Sequence, residues 1–248
     1  MRGLGTIINL LTVAIGGSAG VFIGDRLPAR TRATIMQALG LIVVAVGITG
    51  LQPLYDADAG LRRFIILIIA MILGALAGEA MTLQDRLDAM GERLRRRFGV
   101  SPTPAHNPAS EHSSFVEGFV VASTVFCVGP LTILGAIQDG LGEGIRLLAI
   151  KSALDGIAAL GFASVYGWGV LASLLTVAVY QGGVTLAAVL IEPFMTAEVV
   201  AELGAVGSLL VLGIGLRLLE IKQVPVLNML PAVIFGPVIA GAFEALFL

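Results

Sequence analysis

Charge is what this 248-residue sequence has least of: only 13% of its residues are Asp, Glu, Lys or Arg. A soluble domain carries about a quarter. The deficit falls in blocks, as membrane spans require, and hydrophobic residues make up 57% of the chain. A single cysteine, Cys127, excludes an internal disulfide and a Cys-rich metal site. No basic or His residue lies near it in sequence, so it reads as a small packing residue rather than a reactive thiol. The two histidines, His106 and His112, fall in a polar segment and make poor ligands or acid–base groups. A formal net charge of -2 gives no basis for a nucleic acid partner. The chain has no phosphate-binding Gly-rich loop, dinucleotide fingerprint, nucleophile elbow or zincin motif. ATP-driven pumping and cofactor chemistry are therefore not expected.

What is abundant is apolar sequence of spanning length, about 20 residues per helix. Eight candidate spans follow: Gly5–Ile23, Met36–Leu54, Phe64–Met81, Phe115–Ile137, Leu147–Tyr166, Val170–Ile191, Leu203–Leu219 and Val226–Leu248. The fold expected is an all-α polytopic bundle. Gly5–Ile23 is a span rather than a cleavable signal, because no small-residue cleavage site follows it. The one long hydrophilic segment is 82–114. Its first part places Leu83, Leu87, Met90, Leu94 and Phe98 at helical spacing, which predicts an amphipathic helix ending in Arg95, Arg96 and Arg97. A Pro- and Ser-rich linker follows. Loop arginines and lysines put the 82–114 segment on the cytoplasmic side of the membrane.

The first three spans resemble the last three. Leu10–Ala14 matches Leu174–Ala178, Gly5 matches Gly169, Leu39-Gly40 matches Leu203-Gly204, and Glu79-Ala80 matches Glu244-Ala245 with one residue of slack. Five crossings separate the two starts, so the copies would be inverted, the recurrent plan of secondary transporters. The division expected is a first membrane repeat over 1–81, the cytoplasmic segment over 82–114, an inserted pair over 115–168 and a second repeat over 169–248.

The inserted pair carries the strongest chemical signals. Phe115–Gly140 is broken at Gly129-Pro130. Pro130 frees the carbonyl of Phe126, and the N–H groups around Leu131 and Thr132 open the next half-helix. Free carbonyls suit a cation and free N–H groups suit an anion. A simple kink, closed by the hydroxyls of Ser123, Thr124 or Thr132, is the plainer alternative. Gln138 and Asp139 end this stretch. Lys151 and Asp155 then share a helix face with Ser152 nearby. Asp155 lies well inside a span, where an ionisable residue is a functional hypothesis by default, with an ion pair to Lys151 as the structural alternative. Asn9 and Thr12 on the first span, Gln181 beside Gly182-Gly183, and Asn228 before Leu230-Pro231 are the other interior polar groups.

The motifs GTIINLLTVAIGGSAGVFIGDRLP, FCVGPLTILGAIQDGL, KSALDG, QGGVTL, IGLRLLEIK and VLNMLPA resemble the bacterial and archaeal membrane family called domain of unknown function 554, of the YqgA and YdfK type. The resemblance extends over nearly the whole chain. It implies a small multi-span inner-membrane protein and no particular substrate. The function expected is a transporter or channel for a small solute or monovalent ion. Its site would be built from Gly129, Pro130, Thr132, Gln138, Asp139, Lys151, Ser152, Asp155, Asn9, Thr12, Gln181 and Asn228. No catalytic residue, metal or cofactor is expected, and Cys127 or Ser152 with Asp155 makes a poor nucleophile–base pair. The alternative is a non-transporting scaffold or partner subunit. Glycine-rich faces suit a homo-oligomer, and the lipid bilayer is the first partner.

Overall fold

A computed structural model describes residues 2–24, 26–97, 108–128 and 130–247. Among them every regular element is helical. The α-helices are α1 (Leu4–Gly24), α2 (Ala29–Thr49), α3 (Gly60–Ala80), α4 (Leu83–Arg97), α5 (Pro108–Val128), α6 (Pro130–Leu141), α7 (Arg146–Tyr166), α8 (Trp168–Leu186), α9 (Ala188–Ile191), α10 (Ala197–Leu218), α11 (Val226–Met229) and α12 (Ala232–Phe247). Seven stretches among the described residues are long and apolar enough to span a membrane. The pair α5–α6, bent by 60°, passes the same test as an eighth if taken as one span.

Three boundaries depart from the sequence reading. The helix α5 begins at Pro108, inside the segment read as linker, so the backbone of His112 is helical. Proline suits a first helical position, where its missing N–H costs nothing. His106 and Gly129 lie outside the described residues. The seventh span starts at Ala197 rather than Leu203, because Thr196 caps it by accepting from the Val199 N–H at 3.2 Å. The last span is interrupted at Leu230-Pro231, which separates α11 from α12.

The chain divides into two compact units, interleaved along the sequence. The first comprises Met1–Leu39, Asp85–Cys127 and Leu131–Ala188. Its centre is the contact of α1 with α7. An alanine Cβ at Gly16 would fall 2.0 Å from the carbonyl oxygen of Gly156, and at Gly20, 2.3 Å from that of Leu160. Residue numbers rise together along this seam, so the two helices run parallel with their backbones touching. Four-residue glycine spacing permits such an approach. Against α8 the order reverses, with Gly17 facing Leu171 and Thr6 facing Thr185, so α1 and α8 are antiparallel. The single residue Gly167, at φ 67°, joins α7 to α8. That positive φ is one a side chain would resist. Large apolar side chains of this unit also face outward, beside a buried core that includes Phe119, Phe126, Leu148 and Phe162: Ile15 is 69% exposed, whereas Asn9 on the same helix is 0% exposed. A belt of exposed Ile, Leu and Phe around an interior that holds buried polar groups is the arrangement lipid favours and water penalises.

The second unit comprises Gly40–Gln84, Val128–Pro130 and Val189–Leu248. Here α3 packs antiparallel to α12, with Gly74 against Ala232 and Gly78 against the Asn228 carbonyl just ahead of it. The helix α2 packs antiparallel to α10, with Gly40 against Leu219 and Gly47 against Leu212. Where α3 begins, Arg63 grips both carboxylate oxygens of Glu198, at 2.7 and 3.1 Å, and Arg62 adds a contact at 2.7 Å. In the preceding loop, N–H donation from Ala59 and Asp58, and the nearby Arg63, hold the Asp56 carboxyl below its usual range.

The glycine seam gives a direct test. Gly16→Ala should destabilise the protein by about 1–3 kcal/mol through overpacking. Gly182→Ala, whose new Cβ would meet nothing within 4 Å, should stay within about 0.5 kcal/mol of the parent. Thermal unfolding in detergent compares the two.

Candidate functional site

The parallel seam of α1 and α7 fixes which polar groups can meet. Thr6, Asn9 and Val13 fall on the buried face of α1, and Lys151, Ser152 and Asp155 on that of α7. Gln181 and Thr185, one turn apart on α8, close a third side. Asp139 comes from the end of α6. All of these side chains except Val13 are polar, and each is at most 8% exposed.

Apart from Val13 and Ser152 they form one connected chain of polar contacts. The Asn9 Nδ2 donates to Asp155 Oδ2 at 3.2 Å and to Gln181 Oε1 at 2.9 Å. Gln181 Nε2 donates to Thr6 Oγ1 at 3.2 Å, and Thr6 Oγ1 and Thr185 Oγ1 share a bond of 2.9 Å. The backbone N–H of Thr6 donates to Asp139 Oδ2 at 3.0 Å. That N–H belongs to the first turn of α1, where helical donors lack intrahelical partners and the helix dipole favours an anion. At the other end Lys151 Nζ pairs with Asp155 Oδ2. The same ammonium lies 6.0 Å from the centre of the Phe126 ring, at the edge of cation–π range. Asp155 sits nine residues into α7, roughly 14 Å along the helix axis, near the middle of a span.

Two acceptors in this cluster have no donor: Asn9 Oδ1 and Asp139 Oδ1, both fully buried. Among the described buried residues of this unit, two carboxyl groups, Asp139 and Asp155, stand beside one ammonium, Lys151.

The remaining sequence candidates fall in three groups. Thr12 and Ser152 line the helix seam, with their hydroxyls donating to the backbone carbonyls of Asn9 and Leu148. Thr132 Oγ1 donates to the Phe126 carbonyl at 3.0 Å, the oxygen that the Pro130 break frees. Ser123 and Thr124 are likewise engaged, with Thr176 and the Val120 carbonyl. Gln138 is half-buried on the turn before Asp139. Asn228 belongs to the second unit. There it donates to Glu79 at 2.6 Å and accepts from the Gln84 N–H at 2.9 Å, tying the end of α3 to α11.

The residue the sequence reading passed over is Glu202. It is 0% exposed in α10, and neither carboxylate oxygen has a hydrogen-bond partner. Starting the span at Leu203 left it just outside. The signal was there in Thr196, a capping residue ahead of an apolar run, and in the Glu198–Glu202 spacing of four inside that run. Among the described residues no cluster of three or more His, Cys, Asp or Glu could hold a metal ion.

Comparison with known proteins comes down to one family. The profile of the family described as a protein of unknown function (DUF554) matches residues 4–241. The chain is similar to the uncharacterized protein YqgA of Escherichia coli (strain K12), 32% identical over 244 residues, covering 98% of this chain and 99% of that one. It is also similar to the uncharacterized membrane protein YdfK of Bacillus subtilis (strain 168), 29% identical over 242 residues, 97% of each chain. No solved structure matches.

The ion pair is testable. Lys151→Met leaves a buried carboxylate without its cation and should cost about 3–5 kcal/mol. The double change Lys151→Met with Asp155→Leu should recover much of that loss. Denaturant unfolding in detergent measures both, and equal stabilities for Lys151→Met and the parent would break the assignment.

Proposed function

The chain belongs to the domain-of-unknown-function 554 family of membrane proteins, and on that footing we propose that it moves a small solute or ion across the membrane through the polar cluster of its first unit. One observation carries this reading. A cluster otherwise bonded from end to end keeps two buried acceptor oxygens, Asn9 Oδ1 and Asp139 Oδ1, without donors, and its described buried side chains carry two carboxyl groups to one ammonium. Buried acceptors left empty are costly. A proton, a monovalent cation or a donor-bearing solute would supply what is missing. Asp155 is then the charged centre, Asn9 and Gln181 the orienting amides, and Asp139 the group at the end of the cluster.

Helix directions support an inverted repeat and a crossing by the broken stretch. The first three spans are α1, α2 and α3, and the last three are α8, α10 and α12. Each helix of the first set packs antiparallel to its counterpart: α1 to α8, α2 to α10 and α3 to α12. If α2 and α3 each cross, a parallel α1 and α7 need one further crossing between them, and α5–α6 is the stretch available. A re-entrant α5–α6 would make α1 and α7 antiparallel.

The second reading, a non-transporting scaffold, draws on two features. Thr132 closes the carbonyl that the helix break frees, and Lys151 neutralises Asp155 from within the protein.

Two experiments decide between these readings. In vesicles carrying trapped pH- and sodium-sensitive dyes, Asp155→Asn should cut flux at least about tenfold, the effect of about 1.4 kcal/mol. Absence of flux from the parent favours the scaffold, and unchanged flux in the variant removes Asp155 from the pathway. For the topology, single cysteines at Arg86 and Glu143 in a Cys127→Ser background should react with impermeant maleimide from opposite sides of the membrane. Labelling from the same side would make α5–α6 re-entrant.

A further inference from the structure

The second unit holds a buried carboxyl that the proposed pathway does not use. Glu202 lies one turn beyond Glu198 on the same face of α10. The charged groups around it are accounted for. Arg63 spends its donors on Glu198 and on the Pro53 carbonyl, with Asp56 3.6 Å away, and Arg62 bonds Glu198. From α12, Glu244 accepts from Thr196 instead. The glutamate one turn deeper is left with apolar company. Ile66 of α3, Val199 of α10 and Ala240 of α12 form a buried cluster beside it, and its own carbonyl lies 3.9 Å from where a Gly236 Cβ would stand.

A carboxylate in such a place has no donor and no ion-pair contact, with Arg62 and Arg63 acting on it only from a distance, and low-dielectric surroundings penalise that heavily. A carboxylic acid there carries no charge to solvate. The same group ionised would draw a ligand of one positive charge, and the smallest is a proton. We propose that Glu202 is a proton-binding site of the second unit, loaded and unloaded past the Arg62–Arg63–Glu198 cluster one turn away. That cluster sets the two guanidinium groups of Arg62 and Arg63 against the carboxylates of Glu198 and Asp56, so it offers no excess negative charge to gather metal cations at the approach. The site is separate from the Asn9–Asp155 cluster and stands whether or not that cluster conducts.

Infrared difference spectroscopy on the full-length protein in lipid tests the assignment. At neutral pH the parent should show a protonated-carboxyl C=O band in exchange with deuterated buffer. Glu202→Gln should remove that band, and Glu198→Gln should leave it. If the glutamine variant does not fold, Glu202→Asp should move the band rather than abolish it. Identical carboxyl bands in the parent and in whichever Glu202 variant folds would overturn the proposal. Loss of the band on adding sodium or potassium at fixed pH would overturn it too, by making the site one for a metal cation.

Discussion

The backbone contact between α1 and α7 sets the terms for the first unit. Gly16 and Gly20 bring α1 so close to α7 that a methyl group would strike a carbonyl oxygen. In lipid, apolar faces gain little by leaving a solvent that is itself apolar. Close van der Waals packing and interhelical hydrogen bonds must hold such helices together. The glycines supply the first. The proximity they create supplies the second, since Asn9 reaches Asp155 only because the helices touch. Packing and polar network are thus one device, and the parallel register of the seam decides which residues meet.

The second unit solves the same problem differently. Two of its helix pairs, α2 with α10 and α3 with α12, run antiparallel, and polar contacts such as those of Glu198 and Asn228 sit at helix ends. Arg62 and Arg63 hold Glu198, and Asn228 joins Glu79. Between those ends the interior is apolar apart from residues such as Glu202 and Ser208 on α10. A charged group at a helix end can keep contact with the interface, so ion pairs there cost less than at mid-span. The first unit accepts the higher cost at Lys151 and Asp155, and so the transport proposal rests there.

Much of this was legible in the letters. The all-helical membrane class follows from blocks of apolar residues, and Asp155 with Lys151 follows from a spacing of four inside one block. Asn9 and Gln181 were recognisable as interior polar groups, but nothing in sequence said that they touch each other. That depends on the register of α1 against α8, which glycine and leucine packing sets over 170 residues of separation. The role of Thr132 was foreseen as one of several hydroxyls able to close the break. Glu202 was missed because hydropathy treats a glutamate as a boundary. Whether a carboxyl ends a span or lies within it depends on what the neighbouring helix offers, and here Arg62 and Arg63 bond Glu198 rather than Glu202.

The α1–α7 seam also imposes an order on biosynthesis. The first helix emerges about 140 residues before the partner that covers its polar face, as the pairing of Gly16 with Gly156 shows. At about 5–20 residues per second, translation needs roughly 7–30 s to bridge that gap. Throughout that interval Thr6 and Asn9 have neither Asp155 nor Gln181 to bond. The nascent chain must therefore be sheltered at the insertion machinery until α7 and α8, joined by one glycine, arrive as a hairpin and complete the bundle.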